Sequence, residues 1–180
     1  MKKRFRITAI CVLLLGMTVR PTPAAATSPD PVQQWIAIMN DTVLSAGTSP
    51  FFTSRIAAMV SASVFDAVNG IDPRFRPLHV PPNAPHNASQ RAAAVQAAYV
   101  ILADAYPYPA QSAALTAQRN ASLAALALTE NAKSIAAGVA WGQTVADAIW
   151  AWRQADGFAP PPRISAATQI ASMISCAVAP

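Results

Sequence analysis

The sequence predicts an all-α protein, an antiparallel bundle of about five helices with a proline-rich arm between the second and the third. Three observations support this fold class. Apolar residues recur at helical spacing in five segments, most of these segments begin with a proline or a capping residue, and none shows the alternation of a strand. The connections between most successive segments are short, which favours antiparallel neighbours.

The first two helices are marked by the residues at their ends. A polar capping residue followed by proline is a frequent helix start, and glycine is a frequent stop. Both segments fit this pattern: the first has Asp30-Pro31 and Gly47, and the second has Thr48 or Ser49, then Pro50, and Asn69-Gly70.

The segment 71–87 is predicted to be an irregular arm, because proline removes a backbone donor and interrupts helices. It contains Pro73, Pro77, Pro81, Pro82 and Pro85.

The third helix is expected to begin at a capping box in which Asn87 takes the place of serine or threonine, within Asn87-Ala88-Ser89-Gln90. It is expected to continue to about Tyr106, where Pro107 stops it. Its predicted buried residues are Val95, Tyr99, Leu102 and Ala103.

The fourth helix is predicted from Pro109 to beyond Leu128, and the fifth from a cap at Thr129 or Asn131 to about Ala155. Glycines four residues apart in the fifth helix would allow another helix to approach closely. Its tryptophans could stack on a ligand, but indole rings on such a helix more often lie in the core. These residues are Gly138, Gly142, Trp141, Trp150 and Trp152.

Residues 1–26 have the pattern of a secretory signal peptide, with a basic start, an apolar run from Ile7 to Val19 and Ala24-Ala25-Ala26 as a cleavage site. An uncleaved anchor is the alternative, but a spanning helix needs about 20 apolar residues. We therefore expect an exported, periplasmic or secreted protein. Its helical domain would be 27–157, followed by an atypical tail, 158–180.

The charge and the cysteines exclude several functions. Five of the 13 lysines and arginines precede Ala26, so the remaining eight balance the eight acidic residues. A nucleic-acid-binding protein would need a clustered basic face. The eight remaining cations are scattered along the chain, so nucleic-acid binding is not expected. Of the two cysteines, only Cys176 follows the leader, so no intramolecular disulfide and no zinc ligand pattern is expected.

Several stretches between Trp35 and Gly157 carry a family resemblance. They are Trp35 to Val43, Ser45 to Pro50, Ser54 to Val60, Phe65-Asp66-Ala67-Val68-Asn69-Gly70-Ile71, Tyr106-Pro107 and Ala155-Asp156-Gly157. This region resembles the N-terminal helical region of bacterial vanadium-dependent haloperoxidases, which are relatives of the phosphatidic acid phosphatase type 2 superfamily. Some relatives have histidine where this chain has Ser61.

The resemblance implies a vanadate cofactor in the complete family member, held by histidine, lysine, arginines and serine from motifs C-terminal to the matched region. Those motifs are of the types Lys-x6-Arg-Pro, Pro-Ser-Gly-His and Ser-Arg-x5-His, and this chain has no Ser-Gly-His. We therefore expect no catalytic, cofactor-binding or metal-binding residue here. Arg55, Asp66 and Asn69 are the candidates for structural roles. A local anion site is the weaker alternative for Arg74, Arg76 and His79.

Two functions follow as expectations. The first is the scaffold portion of a haloperoxidase-like or phosphatase-like protein, inactive alone, from an open reading frame that is truncated or frameshifted after codon 157. The second is a non-catalytic exported interaction module. Its partner would be a catalytic half or a second copy, bound through exposed helix faces.

Overall fold

Five helices make up the computed structural model, which describes residues 30–157. They are α1 Pro31–Ser45, α2 Pro50–Asn69, α3 Gln90–Ala105, α4 Pro109–Leu126 and α5 Ala132–Gln154. This part of the chain contains no strand, so the all-α prediction is confirmed. The predicted signal peptide and the tail 158–180 lie outside the described residues.

Two helix starts follow the predicted capping chemistry, whereas at α2 Ser49 holds the cap position without a side-chain hydrogen bond. The side chains of Asp30 and Asn131 accept hydrogen bonds from backbone N–H groups in the first turns of α1 and α5, at 3.0 and 2.8 Å. The predicted cap of α3 at Asn87 is wrong, because Ser89 holds that position and accepts from the N–H of Ala92 at 3.0 Å. The Asn87 carbonyl instead accepts from the hydroxyl of Ser134, at the start of α5.

Helix α3 lies at the centre of the bundle and contacts each of the other four helices. Every residue from Ala92 to Ala98 is buried. Val95 and Leu102 are buried as predicted, but Tyr99 and Ala103 are only partly buried. The prediction assumed a single buried stripe, whereas neighbours on several sides of α3 bury residues around most of its circumference.

Helices α3 and α5 run in the same direction with almost no space between their backbones. A Cβ atom at Gly138 would overlap the carbonyl oxygen of Ser89, and one at Gly142 would overlap that of Ala93. Glycine at these two positions therefore permits the close packing of α5 on the central helix, as its spacing predicted.

Helix α2 runs antiparallel to α5, and contacts at both ends fix the pair. At one end the Trp141 indole donates to the carbonyl of Ala67 at 2.9 Å. At the other end Arg55 forms an ion pair with Asp156. Trp141 is buried, in agreement with the core interpretation, whereas Trp152 is 44% exposed and does not belong to the core.

The described residues include a single helix, α2, that is long and apolar enough to cross a membrane. A single helix of this kind is weak evidence for a membrane span; 39% of its apolar stretch is buried in the fold, where α2 contacts α3 and α5.

Candidate functional site

Asp66 is fully buried, and the backbone of the arm surrounds its carboxylate. Its two oxygens accept hydrogen bonds from the N–H groups of Leu78, His79 and Val80, at 2.8, 2.8 and 2.9 Å. Hydrogen bonds to an ionised acceptor are stronger than those between neutral groups. Asp66 therefore ties three consecutive residues of an irregular segment to α2.

Asn69 binds an earlier stretch of the same arm. Its Oδ1 accepts from the N–H groups of Arg74 and Phe75, both at 3.0 Å, and its Nδ2 donates to the carbonyl of Phe75 at 2.9 Å. Asp66 and Asn69 are two of the three residues for which the sequence predicts structural roles. In the structure the backbone groups they bond belong to the arm.

The arm returns to its starting point, so it has the form of an Ω-loop, a compact loop whose ends lie close together. The N–H of Ala84 donates to the carbonyl of Gly70 at 3.4 Å. A Cβ atom at Gly70 would overlap the Trp141 ring, so the loop leaves α2 directly under this indole. We call residues 71–84 the Ω-loop.

Arg55, the third structural candidate, lies near the start of α2 and reaches the end of α5. It pairs with Asp156 and donates to the carbonyl of Arg153 at 3.4 Å. Arg153 also pairs with Asp156, at 2.7 Å. The matched exit Ala155-Asp156-Gly157 is thus connected to the matched segment that contains Arg55.

The alternative anion site at Arg74, Arg76 and His79 does not form as one cluster. The Arg74 guanidinium pairs with Asp72 at 2.8 Å. The His79 ring instead stacks on Trp152 of α5, with 4.4 Å between the ring centroids.

Two carboxylates that the sequence did not indicate as a pair, Asp104 of α3 and Asp147 of α5, lie close enough to interact. Burial, and next the negative charge of Asp147, raises the pKa of Asp104 above its ordinary value of 3.8. Asp147 accepts from Gln143 at 2.8 Å, and Gln143 accepts from the buried Gln96 at 2.7 Å. Asp104 and Asp147 are 43 positions apart in the sequence and come close only through the parallel packing of α3 and α5, so no local spacing could have indicated the pair.

An apolar pocket of about 540 Å³ opens between α1, α2 and the Ω-loop. Apolar side chains form most of its wall, while a few polar side chains come from the end of α2, the loop and the start of α3. The lining includes Val32, Trp35, Ile36, Val60, Ser61, Val64, Phe65, Val68, Asn69, Asp72, Arg74, Phe75 and Gln90. Ser61 is part of this wall.

A second, shallower pocket of about 610 Å³ lies between the Ω-loop, α3 and the start of α5. Its cationic side chain, Arg91, pairs with Glu130 at 2.6 Å. Each of the two pockets has one arginine in its wall, whereas vanadate needs several convergent cationic donors. These pockets therefore do not fit vanadate. Residues 30–157 also contain no group of three histidine, cysteine or acidic side chains placed to bind a metal.

Comparisons of the chain with models of protein families, with curated proteins and with solved structures find no match.

Proposed function

We propose that residues 27–157 are the helical scaffold of a vanadium-haloperoxidase-like protein and that catalysis belongs to a separate portion. The main support comes from the motif Phe65-Asp66-Ala67-Val68-Asn69-Gly70, which is part of the resemblance to the haloperoxidases and has a structural role in this fold. Its two polar side chains make six hydrogen bonds, all to the backbone of the Ω-loop. The motif therefore uses its polar side chains to hold the Ω-loop on α2.

The arginines give further support. Arg55 and Arg153 pair with Asp156, Arg91 pairs with Glu130, and Arg119 donates to Gln96. An oxyanion site needs cationic donors that converge on one point. In this scaffold Arg55, Arg91 and Arg119 instead connect separate segments of the bundle, and Arg153 pairs at the end of α5.

The proposal is tested with the protein purified as its host produces it. Equilibrium dialysis against orthovanadate is expected to show no stoichiometric uptake. Bromination of monochlorodimedone with vanadate, peroxide and bromide is expected to equal the buffer rate, with an intact vanadium haloperoxidase as the positive control. Uptake of one vanadate per chain would contradict the proposal.

A separately produced catalytic half of a vanadium haloperoxidase provides the positive test of the scaffold function. Mixing it with this chain is expected to give a complex in sedimentation and to raise the bromination rate above that of the half alone. The absence of any complex would exclude the scaffold function and favour the interaction module.

The interaction module remains the second candidate because of the α1–α2 turn. Leu44 and Phe51 flank this turn and are 78% and 75% exposed. Exposed apolar patches often mark a binding surface. If this surface binds a second copy, Phe51→Asp will convert a dimer into a monomer in sedimentation equilibrium, while Leu128→Asp will not.

Export is part of the same proposal. Fractionation is expected to recover the protein outside the cytoplasm, and sequencing is expected to place its amino terminus near Thr27. A cytoplasmic product that retains Met1 would contradict export.

A further inference from the structure

We call the apolar pocket between α1, α2 and the Ω-loop the α1–α2 pocket. It has the size and composition of a small-molecule site. Ligand sites commonly enclose about 300–1,000 Å³ and combine apolar walls with a few polar groups. Here the volume is about 540 Å³. The indole of Trp35 and the ring of Phe65 belong to the wall, and Phe75 packs on Phe65 at 6.2 Å between centroids.

Apart from Ser61, the polar groups of the pocket are concentrated at one end. Along α2 the wall is apolar from Val64 to Val68. Asn69, Asp72, Arg74 and Gln90 follow, where α2 ends, the Ω-loop begins and α3 starts. A ligand that fills this pocket would therefore place an apolar chain along α2 and a polar head beside the loop.

At this end Arg74 offers a donor for an anionic head, beside the carboxylate of Asp72. Arg74 is the cation of the wall, and Arg76 follows two residues later on the exposed surface of the loop. Asp72 is the acidic residue of the wall, and it accepts from the Nε and one terminal nitrogen of Arg74. A guanidinium has five N–H donors in a planar fork, so this pairing leaves others for a second carboxylate.

We infer that this pocket binds an aliphatic carboxylate of the fatty-acid class, with its chain along α2 and its carboxylate at Arg74. The apolar wall supplies the binding energy by removing methylene groups from water. Arg74 supplies the preference for an acid over an uncharged chain. This site is independent of the proposed scaffold function, and either can fail without the other.

The test uses 11-(dansylamino)undecanoate as a fluorescent probe of the protein purified as its host produces it. The expected result is a saturable rise in emission with one probe per chain. Dodecanoate should then displace the probe about three to five times more effectively than 1-dodecanol, because Arg74 is 74% exposed and an exposed ion pair changes affinity by about fivefold at most. Absence of saturable binding, or equal displacement by the acid and the alcohol, would overturn the inference.

Variants locate the site. Val64→Asp places a charge in the apolar wall and should abolish probe binding, while Val64→Phe should do the same by filling the pocket if the charged variant unfolds. Arg74→Gln should weaken dodecanoate binding about three- to fivefold and leave the affinity for 1-dodecanol unchanged. The control is Leu128→Asp, at an 86% exposed position after α4, which should bind the probe like the unaltered chain. Normal probe binding by both Val64 variants, with unchanged circular dichroism, would place the probe elsewhere and overturn the inference.

Discussion

At the scale of single residues, Asp66 and Asn69 illustrate how a short polar motif can organise a segment that lies after it in the sequence. Asp66 bonds residues 12 to 14 positions away, and Asn69 bonds residues five and six positions away. The Ω-loop has no helical or strand ladder to satisfy its N–H groups. The two side chains provide the acceptors that a regular element would otherwise supply.

Asp66→Asn is expected to destabilise the protein although the side chains are nearly the same size. Asparagine has one acceptor oxygen, and its NH₂ group would face a backbone N–H that now has no acceptor. Loss of charge-assisted hydrogen bonds at a buried site should lower the free energy of unfolding by about 2–4 kcal/mol. Urea unfolding followed by circular dichroism measures this change.

The matched control for this substitution is Asp41→Asn, on an exposed position of α1. It should change the free energy of unfolding by less than about 0.5 kcal/mol. Equal stability of the two variants would show that the Asp66 carboxylate does not hold the loop.

Asp104 makes stability depend on pH. Because burial and then the charge of Asp147 raise its pKa, the folded state binds this proton more tightly than the unfolded state. The stabilising contribution of the protonated group is fully present below the ordinary value of 3.8 and is lost as pH rises through the raised pKa. Asp104→Asn stays neutral, so its melting temperature should exceed that of the unaltered chain at pH 7 and match it near pH 3. An advantage independent of pH would refute this explanation.

At the scale of helices, the α3–α5 contact is the most sensitive part of the fold to added volume. Alanine in place of an exposed helical glycine stabilises a helix by about 1 kcal/mol. Gly142→Ala should have the opposite effect, because the new Cβ would overlap the Ala93 carbonyl and contact the Gln96 Cβ at 3.0 Å. We expect a net loss of about 1–3 kcal/mol, measured by thermal unfolding.

Ala140→Gly, on the exposed side of the same helix, is the control for this substitution. It should cost about 1 kcal/mol through helix propensity alone. If Gly142→Ala proves more stable than the unaltered chain, α3 and α5 do not pack as closely as the structure shows.

The helix ends were largely predictable, because the signals that mark them act locally. Pro31 and Pro50 begin the first two helices as predicted, and α2 ends at Asn69. The fourth helix ends at Leu126 instead of continuing past Leu128. The error at Asn87 arose because two possible caps lie two residues apart. The choice between them depends on Ser134, which the chain brings close only in the folded state.

The candidate sites were less predictable, because their partners come from distant segments. The sequence singled out Arg55, Asp66 and Asn69 but could not show that Arg55 reaches Asp156 or that both other residues bond the Ω-loop. It likewise gave no indication of the Asp104–Asp147 pair. The α1–α2 pocket was also missed, because its apolar residues have the same spacing as core residues.

At the scale of the whole molecule, α3 makes residues 30–157 a single cooperative unit. Helix α3 contacts all four other helices, so the unfolding of any one of them would expose part of the buried surface of α3. Unfolding in urea should therefore be one transition, with coincident midpoints by far-ultraviolet circular dichroism and by tryptophan fluorescence. Two separated midpoints would show that α1 or α4 unfolds independently.

The anchoring of the Ω-loop has a consequence for solvent exchange. Loop amides normally exchange with deuterium quickly, because they open without disturbing the rest of a protein. The amides of Leu78, His79 and Val80 point to a carboxylate that is 0% exposed, so they can open only when α2 releases the loop. Deuterium labelling followed by mass spectrometry should show protection at these three positions comparable to that of α3. Exchange of these amides at the rate of an unstructured peptide would contradict the anchoring of the loop by Asp66.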